Sequence, residues 1–163
     1  MLIDDKKPLV YLKIIGSTYP KSTRMIKSYD IKMINSALNY CRNNLQKHGR
    51  YTMVSYLSVN NKIVSRGVNN YNKSNKNTPQ IYSYPIPTHS EINCITKHIS
   101  RNNTISRKMT LYIVGISKSG INLVKSSKPC PSCEIFLKSI GLSRIVYFTT
   151  SNNNFEIIEE LIP

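Results

Sequence analysis

No apolar run long enough to cross a membrane occurs in this 163-residue chain: the longest near the start, Leu9 to Ile15, is interrupted by Lys13 and falls far short of the ~20 residues a span requires. No signal peptide is expected ahead of it, and no membrane partner. Internal repeats and low-complexity blocks are also lacking, which argues against a fibre or a repeat array. Acidic residues are scarce, with 8 Asp plus Glu against 23 Lys plus Arg for a net charge of +15. The excess is not confined to a tail: residues 1–50 carry 10 basic and 3 acidic groups, 51–100 carry 5 and 1, and 101–163 carry 8 and 4. A field of this sign favours phosphate-bearing partners, nucleotides or nucleic acid. Codon bias competes as a source, because Asn, Lys, Ile and Tyr are abundant together. Cysteines number four, and without a secretory segment they read as reduced thiols or metal ligands in a cytoplasmic, reducing compartment rather than as a disulfide framework.

Hydrophobic residues make up 40% and charged residues 19% of the chain, enough to bury one core and unlike the composition of disorder. Residues 1–29 read as an N-terminal arm and 30–163 as a single domain. From Asp30, taken as an N-cap, Ile31, Ile34, Leu38, Cys41 and Leu45 recur at intervals of three and four, which predicts an amphipathic helix ending at Gly49. Residues 51–59 and 62–68 flank Asn60-Asn61 and predict a hairpin. The stretch 69–88 has no period and predicts a long loop. A helix over 91–101, a strand over 111–116, a hairpin at Ser119-Gly120 returning through 121–124, a helix over 130–140 stopped by Gly141, and a strand over 144–149 follow. Residues 155–162 fit a last amphipathic helix whose solvated face carries Glu156, Glu159 and Glu160. This alternation predicts a three-layer α/β sandwich with helices on both faces of one sheet.

Two short motifs stand at the starts of two helices: Thr88-His89-Ser90-Glu91 and Pro129-Cys130-Pro131-Ser132-Cys133. One His and two Cys make three zinc ligands, the set of a catalytic site that keeps a fourth position for water. Cys130 and Cys133 lie one turn apart on one face, at a helix end whose dipole favours thiolates. His89 and Glu91 can both lean over a helix mouth. A rival set competes: Cys94 and His98, four apart on one helix, could join Cys130 and Cys133 in a closed structural Cys3His site.

The His-x-Glu and Pro-Cys-x-x-Cys pair is the signature of zinc-dependent nucleobase deaminases. With RGVNNY, PTHSEINCI, LYIVGISKSG, SKPCPSCEIFLKSIG and LSRIVYFTT in order across residues 51 to 150, the chain resembles the cytidine and deoxycytidylate deaminase superfamily. The resemblance implies an α/β/α sandwich around a central five-stranded mixed sheet, with Zn2+ on His89, Cys130 and Cys133 activating a water. It also implies Glu91 as proton shuttle, Asn69 contacting the sugar or base, and Ser90, which replaces the usual alanine, binding the base carbonyl through its backbone N–H. The implied substrate is the cytosine base of a nucleoside or nucleotide, deoxycytidine monophosphate included. The alternatives are adenosine or cytosine within RNA or single-stranded DNA, or a non-catalytic nucleic-acid-binding protein of the same fold. A homo-oligomer is expected from the same resemblance.

Other residues have plainer readings. Cys41 and Cys94 suit core positions, and His48 suits a solvated place near a helix end. Tyr84, with Tyr82, Tyr71, Lys73 and Lys76, could stack on a base as a pocket residue, and loop packing explains these residues equally well.

Overall fold

The computed structural model describes residues 26–47, 49–74, 87–101, 103–151 and 154–162. The expectations for the N-terminal arm up to residue 25, His48, Lys76, Tyr82 and Tyr84 fall outside them. Helix α1 spans Ser28–Asn43. Asp30, expected at the N-cap, sits two residues inside the helix, and its carboxylate accepts the Lys27 backbone N–H at 2.9 Å, so Lys27 is the extended cap residue. The helix also stops short of Gly49. Asn44 ends it by donating its side-chain amide to the Tyr40 carbonyl at 2.8 Å, which leaves Leu45 exposed beyond the end.

The hairpin forms as expected from β1 (Tyr51–Val59) and β2 (Lys62–Val68). Asn60 and Asn61 both take positive φ, 47° and 63°, the left-handed pair that a tight hairpin turn needs and that Asn tolerates. β3 (Asn70–Ser74) and β4 (Pro87–Thr88) form a separate two-stranded ladder at the ends of the expected loop. Then come α2 (Ser90–Ile99), β5 (Met109–Ser117), α3 (Pro131–Ser139), β6 (Arg144–Ser151) and β7 (Asn154–Leu161).

The main sheet runs β2-β1-β5-β6-β7. Only β5 and β6 are parallel, and the other neighbours are antiparallel, so the five-stranded mixed sheet is present. Side chains alternate cleanly between its faces. Val54, Tyr56, Tyr112, Val114, Val146 and Phe148 pack on Met33, Ile34, Ala37 and Leu38 of α1. Their neighbours Leu57, Leu111, Ile113, Ile145 and Tyr147 pack on Ile92 and Ile95 of α2 and Phe136 and Leu137 of α3. The three layers follow from this: each face of the central strands is apolar, and only helices on both sides can cover it.

Two further expectations are corrected. Residues 155–161 belong to strand β7, not to a helix. Phe155 and Ile157 pack with the α1 side and Ile158 and Ile162 with the other, so both faces of an edge strand are partly covered and no simple alternation shows in the sequence. Its acids are not merely solvated either: Glu159 pairs with Arg144 at 2.6 Å and Glu160 with Lys128 at 3.3 Å. The return from Ser119-Gly120 is likewise no strand, and leaves only an isolated bridge between Ile116 and Leu123.

An ionic cluster closes the α1 side. Asp30, 1% exposed, accepts Arg144 Nη1 on Oδ1 at 3.0 Å and Nη2 on Oδ2 at 2.9 Å, and the Tyr112 hydroxyl on Oδ1 at 2.7 Å. Burial alone would raise the Asp30 pKa, but the hydrogen bonds from Arg144, Tyr112 and the Lys27 N–H outweigh it and hold the carboxyl below its ordinary value. A lowered folded pKa contributes stability above the unfolded value near pH ~4, and that contribution is lost as pH falls through the folded pKa. Removing one partner of a buried pair strands the other charge. We therefore expect Arg144→Met to cost on the order of 3–5 kcal/mol in urea unfolding at pH 7. That deficit should shrink below pH ~4, where Asp30 can take up a proton.

Candidate metal centre

The centre lies where α2 and α3 begin, on the sheet face opposite α1. His89 is the N-cap residue of α2 and Cys130 that of α3, both with extended backbone (φ −74°, ψ 155° and φ −71°, ψ 163°), and neither side chain caps its own helix. They turn toward each other instead. Cys133 follows one turn into α3, and Pro131 occupies the first helical position, where its missing N–H costs nothing. His89 Nδ1 is 3.5 Å from Cys130 Sγ and 3.3 Å from Cys133 Sγ.

Two packing features bring these helix mouths together. A Cβ on Gly67 of β2 would collide with the Ser90 carbonyl and the Cys94 backbone of α2, so only glycine lets α2 lie this close to the sheet. Asn93 fixes the same end by donating to the Val68 carbonyl at 2.7 Å. On the other side, β5 and β6 pair only over Thr110–Tyr112 and Arg144–Val146. Beyond that point Ser127 fills the split: its hydroxyl donates to the Ile113 carbonyl at 2.7 Å and accepts the Phe148 N–H at 2.9 Å. The chain entering Cys130 is thereby tied to both strands.

The residues fit a zinc ion. Tetrahedral bonds of about 2.05 Å to nitrogen and 2.3 Å to sulfur place N and S about 3.6 Å apart, close to the two distances observed. The three ligand atoms all lie within 4.8 Å of one another. The charges agree with that fit. Cys130 is lowered to about 4, first by the hydrogen bond with Cys133, against burial, with His89 adding to the shift. Cys133 is raised, by the same bond with Cys130 and then by burial. His89 is raised by its hydrogen bond to Cys130, which outweighs burial. A cysteine ligates a metal as its thiolate, so metal binding would release the Cys133 proton.

Glu91, one residue beyond Ser90 in the first turn of α2, is 4% exposed, and burial raises its pKa. Its Oε2 accepts the Ser90 hydroxyl at 3.0 Å, and Ser90 Oγ is 2.7 Å from Ser55 Oγ on β1. Asn69, at the end of β2, accepts the Met53 N–H at 2.8 Å and donates to the Tyr51 carbonyl at 3.2 Å. Its amide thus ties down the start of β1 and keeps one further hydrogen-bonding site at each end. Tyr71 donates its hydroxyl to the Tyr51 carbonyl at 3.0 Å. The rival set does not assemble: among the described residues, no group of three metal-ligating side chains includes Cys94 or His98. Cys94 and Cys41 are core thiols that burial pushes up to about 12. Ser55, Ser127 and Asn93 were not anticipated, and nothing in the local sequence marks them, because each acts through tertiary register.

A mixed five-stranded sheet with a His/Cys/Cys centre at two helix mouths defines the class, a zinc-binding deaminase fold. Residues 27–149 match the family described as the cytidine and deoxycytidylate deaminase zinc-binding region, and the chain belongs to that family. Among solved structures it is similar to cytidine deaminase from Burkholderia pseudomallei (TM-score 0.52, 14% identity, 78% of this chain and 90% of that one). It is also similar to dCMP deaminase from the cyanophage S-TIM5 in complex with dCMP and dUMP (TM-score 0.49, 16% identity, 75% and 82%). No curated protein gives a significant match. No helix among the described residues is long and apolar enough to cross a membrane.

Metal analysis after dialysis against excess zinc should find about one ion per chain, the stoichiometry of a three-ligand site. Cys130→Ala and His89→Ala should lose it. Cys94→Ala should keep it, and loss of zinc there would revive the closed alternative.

Proposed function

We propose that the chain is a zinc-dependent hydrolytic deaminase acting on the cytosine base of a nucleoside or nucleotide. The observation that supports this best is the meeting of His89 Nδ1 with the sulfurs of Cys130 and Cys133 at 3.5 and 3.3 Å, with the buried Glu91 two residues from His89. The chemistry such an ion supplies when bound is acidification of water, which provides a nucleophile near neutral pH. Two thiolates cancel much of its charge, so a base beside it is needed. Glu91 takes the proton of the attacking water and delivers it to the ring nitrogen, which makes the adjacent carbon electrophilic; the second proton leaves with ammonia. A carboxyl raised by burial suits a group that must both accept and return a proton.

The backbone N–H of Ser90 lies in the first turn of α2, where amides have no partner within the helix, and we assign it to the base carbonyl. Asn69 is assigned to the sugar or base through the sites its amide retains. The net charge of +15 suits a phosphate on the substrate. Because the charge is spread along the chain, it also supports a second reading, deamination of cytosine or adenosine within a polynucleotide.

Ammonia release from dCMP, cytidine and single-stranded oligonucleotides, measured side by side, tests the reading and separates its two forms. The expected order places dCMP first. Glu91→Gln should retain zinc and lose at least ~100-fold in turnover. Undiminished turnover in that variant would remove Glu91 from the chemistry.

A further inference from the structure

We propose that Ser55 and Ser90 form a hydroxyl pair that positions Glu91, holding one carboxylate oxygen so that the other is presented to the reacting atoms. The inference rests on the deaminase reading for its kinetic consequence, but its geometric content is independent of it. All three residues are buried: Ser55 and Ser90 are 0% exposed and Glu91 is 4% exposed. The order of donors is set by proton count. Ser90 has one hydroxyl proton and gives it to Glu91 Oε2 at 3.0 Å. It must then accept from Ser55, whose oxygen is 2.7 Å away.

Ser55 is well placed for this because its own position is rigid. It lies mid-strand in β1, paired with Gly67 of β2 on one side and Ile113 of β5 on the other. On the sheet it shares the face of Leu57, the face that α2 covers. Its side chain therefore points at the first turn of α2, where Gly67 permits the closest approach. A carboxylate on a helix has several rotamers; the Glu91 carboxyl also meets its own backbone N–H and the Cys133 thiol, and the Ser90 hydroxyl is the contact that ties it through Ser55 to the sheet. Ser90 orients Glu91 and Ser55 orients Ser90, so both are positioning residues and neither touches substrate through its hydroxyl.

The test uses Ser90→Ala, Ser55→Ala and the double variant of the full chain loaded with zinc. Each should bind one zinc and melt close to the parent. Turnover should fall by about tenfold in Ser90→Ala at unchanged KM, the size typical of losing a partner that orients a site residue. Ser55→Ala should fall by less, and the double variant no further than Ser90→Ala alone, because both act through one contact. Crystal structures provide a readout separate from activity: the Glu91 carboxylate should hold one rotamer in the parent and lose it in Ser90→Ala. Parent-like turnover with an unchanged rotamer in Ser90→Ala would overturn the proposal, as would additive losses in the double variant. Should the zinc-loaded parent deaminate nothing while the rotamer still loosens in Ser90→Ala, the deaminase reading fails and the positioning role stands. If Ser90→Ala does not fold, Ser55→Ala carries the test: a smaller fall in turnover with a loosened Glu91 rotamer supports the proposal, and parent-like turnover with an unchanged rotamer overturns it.

Discussion

The structure depends on the convergence of two helix N-termini over one face of a sheet. His89 and Cys130 each occupy the residue at which a helix begins, and each points away from its own helix toward the other. Bringing together two positive dipole ends is unfavourable unless negative charge lies between them. Cys130, whose pKa is lowered to about 4, supplies it as a thiolate. The electrostatic cost of the arrangement is thus offset by one of the groups that would bind a cation.

Holding the helix ends this close requires backbone contacts that side chains would spoil. Gly67 removes the Cβ that would push α2 off β2, and Ser127 bridges the split between β5 and β6 just before Cys130. The ionic cluster of Asp30, Arg144 and Glu159 lies on the other face of the sheet, with α1. Stability and chemistry therefore use separate charged networks, divided by the apolar strands between them. A loss in one need not disturb the other.

The candidate metal group was legible in the sequence because its residue types are uncommon and their spacing is local. Cys130 and Cys133 can share an ion simply by being one helical turn apart, and His89 stands at a recognisable helix start. The sheet was legible for a similar reason, since the hairpin and the branched residues of β5 and β6 carry strand signals of their own. Strand β7 was not. Phe155, Ile158 and Ile162 satisfy a helical period as well as a two-faced edge strand, and only the pairing of β7 with β6 decides between them. Ser55 was hidden for a related reason: a serine within a strand acquires a partner on α2 only through the register of three strands.

The central claim is that three protein groups grip one ion and leave it a place for a small ligand. X-ray absorption at the zinc edge of the loaded protein tests this most directly. The account predicts two sulfurs near ~2.3 Å and two lighter atoms near ~2.0–2.1 Å, of which one exchanges with added small anions. A shell of three or more sulfurs, or one in which no lighter atom exchanges, would contradict it.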